Sequence, residues 1–324
     1  FDHPLRQRQA NPATLGKPGH HRAGRPVIAQ PRHRPDQRIA IGGKGEGPVN
    51  HRFHPGTRQR REAFVGEFDA VLDLGNNFEA IYHLGAIIGV QNALARPFDV
   101  LIDNTRMLEN IIALARQQKS FSRLLFASSS EVYAGTLKYF NLTVPTPESV
   151  ALTVTALNEP RTSYMLSKIM GEAMVQQAGI PFTIFRPHNV YGPRMGMAHL
   201  IPEQLKNAFE AEPGDQLEVH SPDHTRAFCY IDDAVEMLHR ILINDSCVGQ
   251  TLNLGTEVPE VTVREVVQIC IAATNKELGV KDLEPTSGSP VRRAPDMCLT
   301  KNLLNYESKV SLNEGIQATW NWYR

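Results

Sequence analysis

From about Ala63 onward, two kinds of hydrophobic pattern alternate along the chain. Short, nearly unbroken apolar runs recur at Glu79-Ala-Ile-Tyr-His-Leu-Gly-Ala86, Arg123-Leu-Leu-Phe-Ala127 and Ile180-Pro-Phe-Thr-Ile-Phe-Arg186. Runs of this length, without a polar face, read as strands buried on both sides. Between them, Val100–Gln117 sets Leu101, Leu108, Ile111, Ile112 and Ala115 on one stripe at helical spacing. A second helix is predicted from about Ser163 to Ala178, with Gly179 at its C′ position. Alternating strands and helices predict an α/β fold, a doubly wound parallel sheet covered on both faces.

Beyond Pro187 the pattern loosens. His188–Arg194 reads as a loop and Leu200–Phe209 as a helix, with short strands at Leu217–His220, Arg226–Ile231 and Thr251–Gly255. Asp232 or Asp233 is the expected cap of a helix over Ala234–Leu242. Thr262 with Glu265, and Ser311 with Glu314, have the spacing of capping boxes. Residues 134–160, with prolines at 145, 147 and 160, read as a loop-rich excursion. The expected organisation is an irregular segment over 1–62, an α/β domain over 63–186 and a smaller lobe over 187–324.

Residues 1–62 differ from everything after them. They hold 11 arginines, two lysines, six histidines and eight prolines, and no periodicity survives for more than a few positions. Two readings stay open: a disordered basic arm, or a GC-rich gene translated out of frame. The glycine cluster Gly42-Gly-Lys-Gly-Glu-Gly47 lacks both the preceding strand and the following helix of a phosphate-binding turn. His20 and His21 have no metal-ligand companions by spacing, and no metal is expected.

Global charge adds little. The 34 basic and 34 acidic residues balance, so neither nucleic acid nor a membrane surface is indicated as a partner. No apolar run is long enough to span a bilayer, and the four cysteines are scattered without a Cys-x-x-Cys pair. A cytoplasmic protein with reduced thiols is the expectation.

Chemistry concentrates between Phe126 and Lys168. The strand ending at Ala127 releases Ser128, Ser129, Ser130 and Glu131 into a loop, and Tyr164 and Lys168, four apart, share a helix face. A hydroxyl, a phenol and an ammonium brought together can run proton transfer. A surface tyrosine and lysine on an amphipathic helix would have the same spacing.

Further residues make the pattern more specific. They are Tyr82-His-Leu-Gly-Ala86, Asn104, Ser128-Ser-Ser-Glu-Val-Tyr133, Tyr164-x-x-x-Lys168 and Arg186-Pro-His-Asn-Val-Tyr-Gly-Pro-Arg194. Later come Arg226-x-Phe-x-Tyr-Ile-Asp-Asp233, Asn253-Leu-Gly255 and Arg292-Arg-Ala-Pro-Asp296. In this order they resemble the extended short-chain dehydrogenase/reductases that act on nucleotide sugars, from about Asp69 to the C-terminus. The resemblance implies a Rossmann-like fold and an NAD-dependent enzyme that oxidises the sugar C4 hydroxyl. A UDP-sugar 4-epimerase is the leading expectation, with a 4,6-dehydratase or a UDP-glucuronate decarboxylase as alternatives. A homodimer through the helices containing Leu101–Gln117 and Tyr164–Ala178 is also implied.

By that resemblance Tyr164, Lys168, Ser129 and Glu131 are the catalytic residues. Ala86, Asn104, Ser128 and Pro187, with Tyr164 and Lys168, face NAD. Ser129, Asn189, Arg226, Arg292 and Arg293 face the nucleotide sugar. Dehydratases and decarboxylases of the group usually carry Glu where Glu131 stands, but the residue does not decide the reaction. One departure stands out: the family's opening strand, glycine turn and helix are missing, and residues 1–62 occupy their place. That departure predicts weakened NAD binding, and in the extreme a non-catalytic relic that binds nucleotide sugar alone.

Overall fold

A computed structural model describes residues 71–286 and 289–324. The segment 1–62, its glycine cluster and its histidine pair lie outside the described residues. In chain order the elements are β1 (Ala80–His83), α1 (Val90–Ala95), α2 (Pro97–Arg116), β2 (Arg123–Ala127), a 3-10 turn (Ser130–Tyr133) and α3 (Ala134–Tyr139). Next come α4 (Thr162–Gln177), β3 (Phe182–Pro187), β4 (Val190–Tyr191), α5 (Leu200–Glu210), β5 (Gln216–His220), β6 (Thr225–Arg226) and β7 (Cys229–Tyr230). The chain ends with α6 (Ile231–Ile243), β8 (Thr251–Leu254), β9 (Val261–Thr262), α7 (Val263–Ala273), β10 (Gly279–Leu283), β11 (Arg292–Arg293), α8 (Cys298–Leu304) and α9 (Leu312–Tyr323).

Four strands form a parallel sheet in the order β1-β2-β3-β8, with Tyr82 opposite Leu125, Phe126 opposite Ile184 and Phe185 opposite Leu252. Every residue of β2 is buried, as a strand covered on both faces must be. The strand's period of two divides its side chains between two cores. Leu124 and Phe126 pack with Leu108, Ile111 and Ile112 of α2 and Val175 of α4. Leu125 and Ala127 pack on the other face with Met237 and Ile241 of α6 and Leu304 of α8. Of the stripe predicted on α2, Leu108, Ile111, Ile112 and Ala115 are buried in this core, while Leu101 is half-buried outside it.

The second half both completes this sheet, through β8, and builds small sheets of its own: β4 with β7, β5 with β10, and β11-β6-β9. Helices α5, α7 and α9 close a separate core around Leu205, Val266, Cys270 and Trp320. Both predicted capping boxes form, at Thr262–Glu265 and Ser311–Glu314. Asp233 does something other than cap. Its buried carboxylate accepts from Tyr306 Oη (2.6 Å), Lys309 N and Val310 N, tying α6 to the segment before α9, while α6 starts without a side-chain cap. The predicted excursion after Tyr133 contains α3, and the predicted strand at 226–231 is broken between β6 and β7. Among the described residues no helix is long and apolar enough to cross a membrane.

Candidate active site

In an open parallel sheet the strands end together at one edge, and ligands bind in the crevice outside their carboxyl ends. Here β1 ends in the loop carrying Ala86, β2 in Ser128-Ser129, β3 in Pro187-His188-Asn189 and β8 in Gly255. Helix α4 packs with α2 on one face of the sheet, and its N-terminal half contributes Tyr164 and Lys168.

Lys168 is 4 % exposed, and its Nζ donates to the Ala127 carbonyl at 2.8 Å, at the last residue of β2. The ammonium lies 5.2 Å from the Phe126 ring centroid and 5.8 Å from that of Tyr164. Burial brings it down to about 8, against an upward pull from Glu172. Burial pushes the Tyr164 phenol up to about 12; the neighbouring Ser129 hydroxyl opposes this, and the Glu131 charge adds to it. In this state Tyr164 is a proton donor. Beneath them His83 stacks on Phe126 at 5.9 Å, held neutral by burial and by Lys168, which lower it to about 3.

Ser129 also caps the 3-10 turn by accepting from the Glu131 amide at 3.2 Å. Glu131 pairs with Arg293, Oε1 to Nη1 at 2.8 Å. Arg293 first of all, then its hydrogen bond and the charges of Arg161 and Arg226, hold the carboxyl below its usual range against burial. Four sequence-predicted residues, Ser129, Glu131, Tyr164 and Arg293, therefore form one connected group, with Lys168 at its floor.

Other predicted residues take different positions. Arg292, 51 % exposed, turns away from Glu131 and pairs with Glu260 at 2.5 Å. Of the two adjacent arginines only Arg293 pairs with Glu131. Arg226 feels both Glu131 and Arg293 and is lowered to about 10, burial first. Its guanidinium donates to Thr225 O, Pro290 O and Ser289 Oγ. Asn189 has a left-handed backbone (φ 40°), tolerated by Asn, and its side-chain amide donates to Ala227 O at 2.9 Å. Asn104 clamps the β1 loop, accepting from Ile87 N at 2.6 Å and donating to Ile87 O and to Ser167 Oγ of α4. It shapes the crevice beside Ala86 by holding the backbone. Ser128 is buried and donates to Glu172 Oε1 at 2.5 Å. Pro187 ends β3 opposite Leu254.

A buried polar network underlies the site, and sequence reasoning had assigned it no role. Arg186 of β3 grips Glu172 of α4 with both edges of its guanidinium, Nε to Oε1 at 2.8 Å and Nη2 to Oε2 at 2.7 Å. Its Nη1 donates to Tyr133 Oη (2.8 Å), which donates to Asn253 Oδ1 (2.9 Å). Asn253 Oδ1 also meets His188 Nε2 at 3.1 Å, while its amide nitrogen donates to Thr146 O and Asp296 O. One signal in the sequence did point here: an arginine ending an apolar strand must find a buried anion.

Comparison with known proteins agrees with this geometry. Residues 45–255 match the model of the NAD dependent epimerase/dehydratase family. The chain is 28 % identical over 295 residues to the UDP-N-acetyl-alpha-D-glucosaminuronate decarboxylase of Bacillus cytotoxicus, covering 84 % of this chain and 88 % of that protein. Among solved structures, an epimerase of Methanothermobacter thermautotrophicus superposes with a TM-score of 0.68 at 23 % identity, over 79 % of this chain and 74 % of that one. The UDP-glucuronic acid 4-epimerase of Bacillus cereus, in complex with UDP-glucuronic acid and NAD, gives 0.63 at 23 % identity over 78 % and 77 %. By its family match, and with a serine just past the end of β2 beside a tyrosine and a lysine of α4, this chain belongs to the NAD dependent epimerase/dehydratase family.

Proposed function

We propose that this chain decarboxylates a UDP-linked uronic acid after oxidising the sugar at C4. NAD is the family's cofactor, and the residues present fit it. Lys168 is a buried ammonium whose one hydrogen bond among the described residues goes to Ala127 O, which leaves N–H groups for a ribose. Lys168, with the backbone of the Asn104-clamped loop at Ala86 and the β3 end at Pro187, would hold the cofactor. When bound, NAD accepts the hydride leaving C4.

The chain's own groups handle the protons. Tyr164 Oη takes the C4 hydroxyl proton, and Ser129 orients that hydroxyl and the phenol together. For Tyr164 to act as base its phenol must ionise, which the positive charge of Lys168 favours. A guanidinium suits a carboxylate, and Arg293 sits within the group formed by Ser129, Glu131 and Tyr164. The half-buried Glu131–Arg293 pair is the observation that carries the uronic-acid reading. With C4 a ketone, the C5 carboxylate is a β-keto acid: its C–C bond breaks, CO2 leaves, and the electrons pass into an enolate that takes a proton at C5. The same hydride would return to C4 from a bound NAD, so the sequence would consume no outside oxidant. The decarboxylase names of several relatives agree with this reading.

The 4-epimerase reading shares the Tyr164–Ser129 oxidation and differs only in the fate of the ketone. Incubation with UDP-glucuronic acid and NAD, followed by mass spectrometry, separates the two. Loss of CO2 with a UDP-pentose product is expected. A product of unchanged mass identified as the C4 epimer would overturn decarboxylation in favour of epimerisation. No turnover of this or other UDP-sugars would overturn both.

A further inference from the structure

Lys168 is a buried cation with a carboxylate one helical turn away that it does not touch. Tyr164, Lys168 and Glu172 follow at i, i+4 and i+8 on one face of α4, and residues so spaced are neighbours. In a low-dielectric interior a Lys–Glu contact there would be far stronger than on a surface. Yet both Glu172 oxygens are engaged elsewhere: Oε1 by Ser128 Oγ (2.5 Å) and Arg186 Nε (2.8 Å), Oε2 by Arg186 Nη2 (2.7 Å). Lys168 makes no ion pair with any described residue; it donates to Ala127 O and lies over Phe126 and Tyr164.

We infer that Arg186 is a positioning residue that sequesters Glu172, so that the Lys168 ammonium stays uncommitted for Tyr164 and the cofactor. The inference rests on the reading of Tyr164 and Lys168 as the proton-handling pair. It goes beyond that reading by giving the two residues a hidden antagonist and a restraint on it. Two cations and one anion share this pocket, leaving one net positive charge, and the fork fixes which cation is neutralised. Arg186 is further anchored by Nη1 to Tyr133 Oη (2.8 Å) and to Glu148 O (3.0 Å), so it cannot swing away without breaking the network.

The other groups facing the pair do not upset this accounting. His83, from β1, stays neutral above its value of about 3. Glu131, from the 3-10 turn, is matched by Arg293. Tyr133 is a neutral phenol, raised by burial to about 12. The upward pull of Glu172 on Lys168 is already present across the gap and would grow if Glu172 were released.

Arg186→Met should let Glu172 turn to Lys168. NAD affinity, measured by calorimetric titration of the full chain, should fall about tenfold, and the acid limb of the kcat/KM profile should move up by about one pH unit. Glu172→Gln, which removes the antagonist, should move that limb the opposite way. The double variant Arg186→Met/Glu172→Leu removes both charges, a swap that buried ion pairs often tolerate, and should return limb and affinity to near the parent values. Opposite shifts with recovery in the double variant carry the inference. Equal losses at all pH values without a moving limb, or a displaced limb in the double variant, overturn it. If neither single variant folds, the double variant alone decides on the same terms. Should Tyr164→Phe retain turnover, the underlying site reading fails instead, which keeps the two failures apart.

Discussion

Glu131 and Arg293 meet at 2.8 Å, the first from the turn after β2 and the second from β11, so two distant stretches of chain share one ion pair inside the crevice. A guanidinium placed there can trade its internal carboxylate for one on a substrate. Arg293→Ala is expected to lower kcat/KM for UDP-glucuronic acid by about 10²-fold. Calorimetric binding of UDP-glucose, which has no carboxylate, should change much less. Equal losses for the two ligands would remove the assigned role.

Tyr164→Phe takes away the phenol that neighbours the Ser129 hydroxyl and the Lys168 ammonium. Turnover should fall by about 10²–10⁴-fold, the range of a lost general base, while NAD binding changes little. Single-turnover reduction of bound NAD, read by its absorbance, would check this.

NAD should raise the melting temperature of the chain. A ligand present at about 100 times its Kd adds about 2.7 kcal/mol to apparent stability, provided it binds only the folded state. A shift with UDP and none with NAD would mark a chain that keeps a sugar-nucleotide site without redox capacity.

Acid should destabilise the fold in a specific window. Burial lowers both His83 and His188 to about 3, whereas an unfolded histidine titrates near 6.5. Between those values the unfolded state binds more protons, so stability is full above about 6.5 and falls as pH drops toward 3. His188→Phe should flatten the dependence of melting temperature on pH across that window. The parent slope persisting in this variant would exclude His188 as a source.

Gly171→Ala tests the packing under the site. A Cβ there would stand 2.5 Å from Phe126 Cζ and 3.1 Å from Leu108 Cδ2. Since Phe126 also supports Lys168, a loss of about 1–3 kcal/mol in urea denaturation should come with weaker NAD binding.

Much of the fold was legible because it depends on local rules. Unbroken apolar runs mark β2 and β3, and helical spacing marks α2. Two hydroxyl–carboxylate pairs mark the starts of α7 and α9. Each involves neighbours in sequence, where backbone geometry alone determines what touches what. Asp233 shows the limit of that logic: its position suggested a cap, but its partners lie far along the chain at Tyr306, Lys309 and Val310.

The stretch from Phe126 to Lys168 determined by itself that a serine, a glutamate, a tyrosine and a lysine could converge, because a strand end and a helix period are written locally. Only the tertiary structure decided that Arg293 joins them while Arg292 turns to Glu260. It also decided that Ser128 and Arg186 together hold Glu172, so that Lys168 has no ion pair among the described residues. The reason is that a buried charge takes whichever partner the packing of other elements brings within hydrogen-bond reach, and no spacing along one element encodes that choice.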